Sequence, residues 1–568
     1  MLAFLLYSPL IGWPRQSAPP VPINLIFIPG PVGTYSVGPW LLWGKPPAGA
    51  PCGLVGGIWP LRRFKGLRMA AATGLSAAIR KNFLLFIVKQ DSDVVQIYGI
   101  ISFFVPFPFC KFTEIIDNHI SAHMTPRQRE IIDLIHSEVK PALGCTEPIA
   151  VALAVAKATE IIMENCPGDC PDGWRRRADF KIDVQVSANI LKNGMGVGIP
   201  GTGMVGIPIA AALGAVCGAS ALGLEVLKNP SPQDVDRAKQ LVEAKAVCVS
   251  VADTEHLLYV KATVSLEGAH ASAELNPYAS AVIEDNHDCI VQTSFADRIL
   301  MSSESAAASA DIGTKDYGLS VKEIYDFAIE MPYQDIQFIL EDRTLNLALA
   351  KEGLAGDYGL KVGKAIRENQ QEVFGDDFLS FAMGMTAAAS DARMAGCTLP
   401  ALSNSGSGNQ GITVSMPIIA YAIKYEVDDE RLARALILSN LVAIHIKSFL
   451  GKLSALCGCV VASTGSACGI VYLEGGGLKE ICAAIQNMAG NITGMVCDGA
   501  KVGCAMKVAS GVSCAVQSAV LALRGTCIPS TDGIIEDDVE KTIRNVGKIG
   551  SAGMKATDRM ILDIMLCK

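Results

Sequence analysis

Phe180–Ser220 reads FKIDVQVSANILKNGMGVGIPGTGMVGIPIAAALGAVCGAS, and its hydrophobic period changes twice along the way. FKIDVQVSANI alternates apolar and polar residues, the two-residue period of a strand with one buried face. NGMGVGIPGTGMVG, from Asn193 to Gly206, is a glycine-rich loop. PIAAALGAVCGAS, from Pro208 to Ser220, is a helix of small residues. SPQDVDRAKQLVEA follows as a helix with Ser231 as N-cap. AVCVSVAD, LLYVKATVSL and AHASAEL, the last spanning Ala269–Leu275, then read as strands. A small α/β domain is expected here.

On both sides the pattern is helical. TPRQREIIDLIHSEVKPALG begins with Thr125 as N-cap and Pro126 at the first helical position, and its helix runs to about Val139. A second helix is expected from about Pro148 to Asn165. Beyond about Ser320, the stretches Ser320–Leu354, Gly375–Gly396 and Asp428–Leu453 all repeat at helical spacing. The expected fold is therefore α+β: a mostly α-helical catalytic domain with a smaller inserted α/β domain. Its boundaries fall at 124–177 for the first helices, 178–318 for the insertion and 319–568 for the helical remainder. Residues 1–123, rich in Pro, Trp and Phe, show no sustained period in IPGPVGTYSVGPW or KPPAGAPCG. They are read as an atypical extension, disordered or untranslated, with translation starting at Met124.

The 568 residues are 50% hydrophobic and 18% charged, with net charge -8 and mean hydropathy +0.34. No long basic run is present, which argues against nucleic acid or an anionic membrane as partner. No run of about 18 uninterrupted apolar residues occurs, the minimum for a membrane span. The 18 cysteines lack regular spacing, which fits a reduced, cytoplasmic protein better than a disulfide scaffold. A small-molecule enzyme is the class that remains, with a homodimer as one admissible assembly.

Four stretches set polar or thiol groups among glycines, where a backbone can approach a small ligand. KPALGCTEP carries Cys145 and Glu147 just ahead of a helix. CTLPALSNSGSGNQG, Cys397–Gly411, holds Ser403, Asn404, Ser405, Ser407, Asn409 and Gln410, a set able to cradle a carboxylate. HIKSFLGKLSALCGC, His445–Cys459, holds Lys447 and Cys457. GNITGMVCDGAKVGCAMKVA, Gly490–Ala509, places Cys497 in a loop, Asp498 and Gly499 as a plausible N-cap, and Cys504 a turn and a half into a helix. A thiol at a helix N-terminus favours the thiolate that binds metals. Buried structural cysteines suit the same Gly/Ala/Val/Met surroundings. GTGMVG, Gly201–Gly206, fits the GxGxxG order, but its strand ends well before Gly201, so the loop is read as a site wall or hinge.

KPALGCTEP, SNSGSGNQG, HIKSFLGKLSALCG and GNITGMVCDGAKVGCAMK together resemble the L-cysteine desulfidase family, related to the alpha chains of iron–sulfur L-serine dehydratases. The resemblance covers Met124 to the C-terminus. It implies a 4Fe-4S cluster held by three cysteines, matched here to Cys457, Cys497 and Cys504, with Cys397 as competitor. Cys459 is disfavoured because residues two apart on a helix face differently, and Cys567 parallels a C-terminal cysteine of the dehydratases. The resemblance further implies Cys145 as a non-ligand thiol acting as general base, with Glu147 beside it. Lys447 and the 403–410 loop then hold the substrate carboxylate. The implied reaction is α,β-elimination of L-cysteine to hydrogen sulfide, pyruvate and ammonia, without pyridoxal phosphate. L-Serine dehydration and a non-catalytic redox sensor are the alternatives.

Overall fold

The computed structural model describes residues 124–165, 174–267, 277–303, 316–368, 373–451 and 454–567, with four short strands before them. The chain divides into two units, Met1–His123 and Met124–Lys568. In the first, Trp40–Leu41 pairs antiparallel with Trp59–Pro60, and Ile87–Asp91 with Val94–Tyr98. The rest of that extension, and the strand expected over Ala269–Leu275, lie outside the described residues.

The second unit opens with α1, Pro126–Glu138. The Thr125 hydroxyl accepts the Gln128 N–H while the Gln128 side chain accepts that of Thr125. This reciprocal cap is worth about 1 kcal/mol, so Thr125→Ala would fray the helix start. A two-residue strand, β1 (Pro141–Ala142), precedes α2 (Thr146–Asn165). The chain then forms β2 (Asp179–Val186), α3 (Ala188–Gly194), α4 (Ile207–Cys217) and α5 (Pro232–Glu243). Ser231 caps α5 as expected. β3 (Val247–Val251), β4 (Tyr259–Glu267), β5 (Tyr278–Glu284), β6 (Ile290–Phe295) and β7 (Arg298–Ser302) complete one six-stranded sheet.

The order across that sheet is β7-β6-β5-β4-β2-β3, antiparallel throughout except for the parallel β2/β3 pair. In β2, Phe180, Ile182, Val184 and Val186 are buried while their neighbours are exposed, so one face meets a core. α2 and α4 supply that core. Although the sequence groups α2 with residues 124–177, its Ala- and Val-rich surface packs on this sheet. Gly214 on α4 shows why small residues are needed. A Cβ there would stand 2.5 Å from the Ala152 carbonyl oxygen.

The remaining chain is helical: α6 (Val321–Glu330), α7 (Glu341–Ala355), α8 (Val362–Glu368) and α9 (Phe378–Met394), then the short strand β8 (Ala401–Leu402). It continues with α10 (Gly408–Tyr425), α11 (Asp429–Leu450), α12 (Gly458–Leu473), α13 (Leu478–Asn491), α14 (Cys504–Leu523), α15 (Val539–Lys548) and α16 (Lys555–Leu566). These helices share the larger apolar core. By length and composition alone α11 and α14 pass for membrane spans, but 89% of the apolar window of α11 is buried inside the protein. It is the central helix of the bundle. The two halves are stitched where β1 pairs antiparallel with β8, Ala142 with Ala401 and Pro141 with Leu402. That short ladder brings the Cys145 loop against the Ser403 loop.

Candidate active site

Four helices begin at one place. The Thr146 hydroxyl at the start of α2 donates to the Gly406 carbonyl, 2.8 Å away, just ahead of α10. Gln410, in the first turn of α10, lies against Gly458 at the start of α12. The loop before α12 pairs antiparallel with the loop before α14: the Cys457 N–H donates to the Met495 carbonyl at 2.8 Å and the Cys497 N–H to that of Ala455 at 2.7 Å. Cys145, before α2, and Cys504, the first residue of α14, share a small apolar cluster with Val197 and Met394. Each helix start carries partial positive charge, so their meeting favours an anion, although the first N–H groups of α14 and the Gln410 N–H of α10 already have partners.

Glu147 sits in the middle of this cluster. Its Oε2 accepts the Cys145 thiol at 3.0 Å and its Oε1 accepts the Asn193 amide at 3.0 Å; the Thr146 oxygen lies 3.2 Å from Oε2, but its single proton goes to the Gly406 carbonyl. Burial opposes ionisation, but the His287 charge, the Cys145 donor and Arg393 together hold the carboxyl below its ordinary value. Cys145 is pushed the other way, well up, by burial and by the Glu147 charge. It is a protonated donor at rest, not the thiolate expected of a residue ahead of a helix. Desolvation outweighs the dipole.

Arg393 and Lys447 are buried cations that act on the carboxylate, and Lys192 is a third beside Lys447. Burial pushes Lys447 down to about 8, against the opposing pull of Cys497, Cys457 and Glu147. Lys192, only 2% exposed, pairs with Asp558 on α16. Arg393 reaches the Asn409 carbonyl oxygen with one terminal nitrogen at 3.2 Å, while its Nε is buried without a partner. Arg393, Lys192, Asn193 and His287 were not singled out from the sequence. For Arg393 a signal existed, an Asp/Arg pair inside the alanine-rich GMTAAASDARM. His287 lies in the turn between β5 and β6, and nothing local marks it.

The thiols are arranged differently from the expectation in two respects. Asp498 and Gly499 do not cap α14, and Cys504 is its first residue rather than a turn and a half inside. Asp498 is engaged by Lys501 and Lys507, and the helix begins only at Cys504, with Gly503 as its N-cap. Cys457 is an extended N-cap residue, so the helical argument against Cys459 does not apply. The Cys457 thiol interacts with both Cys459 and Cys497; the Cys459 contact and burial push it up, against the opposing pull of Cys497. Cys504 donates to the Gly499 carbonyl at 3.8 Å and interacts electrostatically with Cys497. Burial raises the Cys504 thiol. The thiol contacts with Cys457 come first in raising Cys497, with burial behind them.

Cys397 stands apart, beside the Tyr358 hydroxyl, and Cys567 is exposed at the end of α16. Among the described residues every cysteine is a free thiol. Also among them, no three His, Cys, Asp or Glu side chains converge to hold a metal ion. In donor type the set fits a thiophilic metal, since Cys457, Cys459 and Cys497 adjoin and cations flank them.

The 403–410 loop is mostly turned inward. Ser403 donates to the Lys140 carbonyl at 2.7 Å, Asn404 to Asn440 at 2.8 Å and Ser405 to Asn404 at 2.9 Å, while the Ser407 hydroxyl caps the Gln410 N–H. Asn409 accepts from Ser390 and Arg393. Only Gln410, 1% exposed, presents a buried atom, Oε1, with no partner. An apolar cavity lined by Ile446, Val460, Ile485, Met488 and Val546 shares no residue with this polar cluster.

The profile of the family described as serine dehydratase alpha chain matches residues 221–563. A UPF0597 protein of Bacteroides fragilis is 47% identical over 448 residues, 78% of this chain and 100% of that protein. Similar proteins occur in Oleidesulfovibrio alaskensis, 49% identical over 446 residues, and in Shewanella halifaxensis, 45% identical over 442. These cover 78% and 77% of this chain, and 99% and 98% of the relatives. A chain matched over so much of its length, with its cysteine and Ser/Asn loops drawn to one buried cluster, belongs to the serine dehydratase alpha-chain family.

Proposed function

We propose that this protein is a cytoplasmic lyase that eliminates the β-substituent of a small amino acid, with L-cysteine as substrate and hydrogen sulfide, pyruvate and ammonia as products. One observation carries this: Glu147, a buried carboxylate held ionised, lies beside Cys145 and among Arg393 and Lys447. Elimination without pyridoxal phosphate requires a base for the α-proton and positive charge for the carboxylate. The four helix starts, with Arg393, supply the second requirement.

Glu147 takes the α-proton in this scheme, in place of Cys145. A buried group already ionised accepts a proton, whereas a buried thiol must first lose one. Cys145 donates to the carboxylate and orients it. The electron pair of the broken Cα–H bond forms the Cα=Cβ bond as the Cβ–S bond breaks, and sulfide leaves with that bond's electrons. Aminoacrylate then hydrolyses to pyruvate and ammonium. Cys457 and Cys497 would hold an iron–sulfur group, with Cys504 as third ligand and Cys459 as the competitor that its position recommends. Such a group, when bound, supplies a Lewis acid for the β-substituent.

L-Serine is the second reading, favoured by the family to which the chain belongs. The test is release of pyruvate and sulfide by the full chain, reconstituted with iron and sulfide without oxygen. Sulfide and pyruvate from L-cysteine support the proposal, and pyruvate from L-serine alone moves the substrate to serine. A stably loaded protein that turns over neither amino acid defeats it.

A further inference from the structure

Gln410 can be oriented without reference to any ligand, because a chain of side-chain amides ends on it. Asn440 Nδ2 donates to the Leu436 carbonyl at 2.9 Å and to Asp342 Oδ2 at 2.9 Å. A backbone carbonyl only accepts, so the Asn440 oxygen must face the other way, toward Asn404. Asn404 Nδ2 donates to that oxygen at 2.8 Å and to the Asn440 backbone carbonyl at 3.3 Å. The Asn404 oxygen in turn accepts Gln410 Nε2 at 2.8 Å. Each amide hands its polarity to the next, and the last acceptor, Gln410 Oε1, is left facing the start of α12, 2.6 Å from where a Gly458 Cβ would lie. It is buried and has no hydrogen-bond partner.

A buried acceptor without a donor is costly, and a donor carried by a ligand is one way to satisfy an atom so placed at the meeting of these helix starts. Asn193 Oδ1 is a second orphan acceptor of the same cluster, fixed by its own amide donating to Glu147. We propose that Gln410 Oε1 receives the α-ammonium group of the amino-acid substrate, and that Asn404, Asn440 and Asp342 are positioning residues that hold that oxygen toward it. Gln410 then reads the positive end of the zwitterion and not its carboxylate, which falls to Arg393 and the helix starts. This rests on the amino-acid lyase proposed above and adds which group of the substrate is recognised, and by which atom.

The test compares L-cysteine with 3-mercaptopropionate, the same molecule without its ammonium group. Affinities are taken as KM and Ki in the turnover assay, and as binding heats with protein lacking the cluster. Gln410→Met, near-isosteric but without the acceptor, should weaken L-cysteine about 10- to 100-fold while leaving 3-mercaptopropionate within about twofold. Gln410→Glu, which keeps an acceptor and adds charge but loses the donor to Asn404 Oδ1, should retain L-cysteine better than the methionine variant does and weaken 3-mercaptopropionate about tenfold or more. If the methionine variant does not melt cooperatively, the glutamate variant decides alone. Equal losses for both ligands in either variant overturn the ammonium assignment while the lyase proposal stands. A wild-type protein that binds neither ligand and makes no pyruvate defeats the lyase proposal, and the assignment falls with it.

Discussion

Replacing Glu147 by Gln separates chemistry from folding. The carboxylate accepts two donors: Cys145 on one oxygen and Asn193 on the other. An amide offers one oxygen and one NH2, so in either orientation a donor would face a donor. Left unrelieved, that conflict costs about 1–3 kcal/mol. Asn193 removes it by rotating its amide by half a turn, because its Oδ1 has no partner to lose. The new glutamine NH2 then donates to Asn193, and its oxygen keeps the Cys145 bond. The hydrogen-bond rearrangement should therefore cost less than about 1 kcal/mol, and any larger fall in stability reports the charge lost beside His287 and Arg393. Catalysis loses its base, and kcat for pyruvate formation should fall about 10²- to 10⁴-fold.

The pH profile gives a second readout. Glu147 is depressed below its ordinary value, so its ionised form stabilises the fold above the unfolded value, and that stability is lost as pH falls through the folded one. Wild-type turnover should show an acid limb in that low range, and Glu147→Gln should show none. Turnover within about threefold of wild type would refute Glu147 as base. An unrotated Asn193 amide, with its NH2 still facing residue 147 in a structure of the Glu147→Gln variant, would refute the Asn193 rotation.

Three other outcomes are expected. Anaerobically reconstituted Cys457→Ser and Cys497→Ser should bind less iron than wild type by elemental analysis, whereas Cys397→Ser and Cys567→Ser should bind as much, since neither of those thiols adjoins the cluster. Asp342 is pushed up to about 8 by burial against its Asn440 and Ser415 hydrogen bonds. The folded state thus keeps a proton that the unfolded chain releases, and wild-type stability should fall as pH rises toward about 8, with Asp342→Asn lacking that fall in thermal melts from pH 5 to 9. Gly411→Ala would place a Cβ 1.9 Å from the Leu402 carbonyl oxygen and 2.7 Å from the Ser403 Cα. Both neighbours are backbone, so the variant should fail to give a cooperatively folded protein by circular dichroism, and a normal melt would contradict the close approach of α10 to β8.

The sequence alone determined a good deal about this protein. Helix starts at Thr125 and Ser231, the alternating strand from Phe180 and the long apolar helices follow from local chemistry, since caps and periods act over a few residues. The α+β class follows from them. The four glycine-rich stretches were also legible as candidates for a site, because thiols and amides among glycines are unusual, and the fold brings them together. What lay beyond reach depends on partners distant in the chain. The protonation of Cys145 comes from its burial and from Glu147, not from the helix behind it. The inward turn of Ser403 and Asn404 comes from Lys140 and Asn440. Arg393, Lys192 and His287 become site residues only because the β1–β8 ladder and the α12 and α14 loops close on one another, a juxtaposition decided by packing between cores rather than by any residue's neighbours.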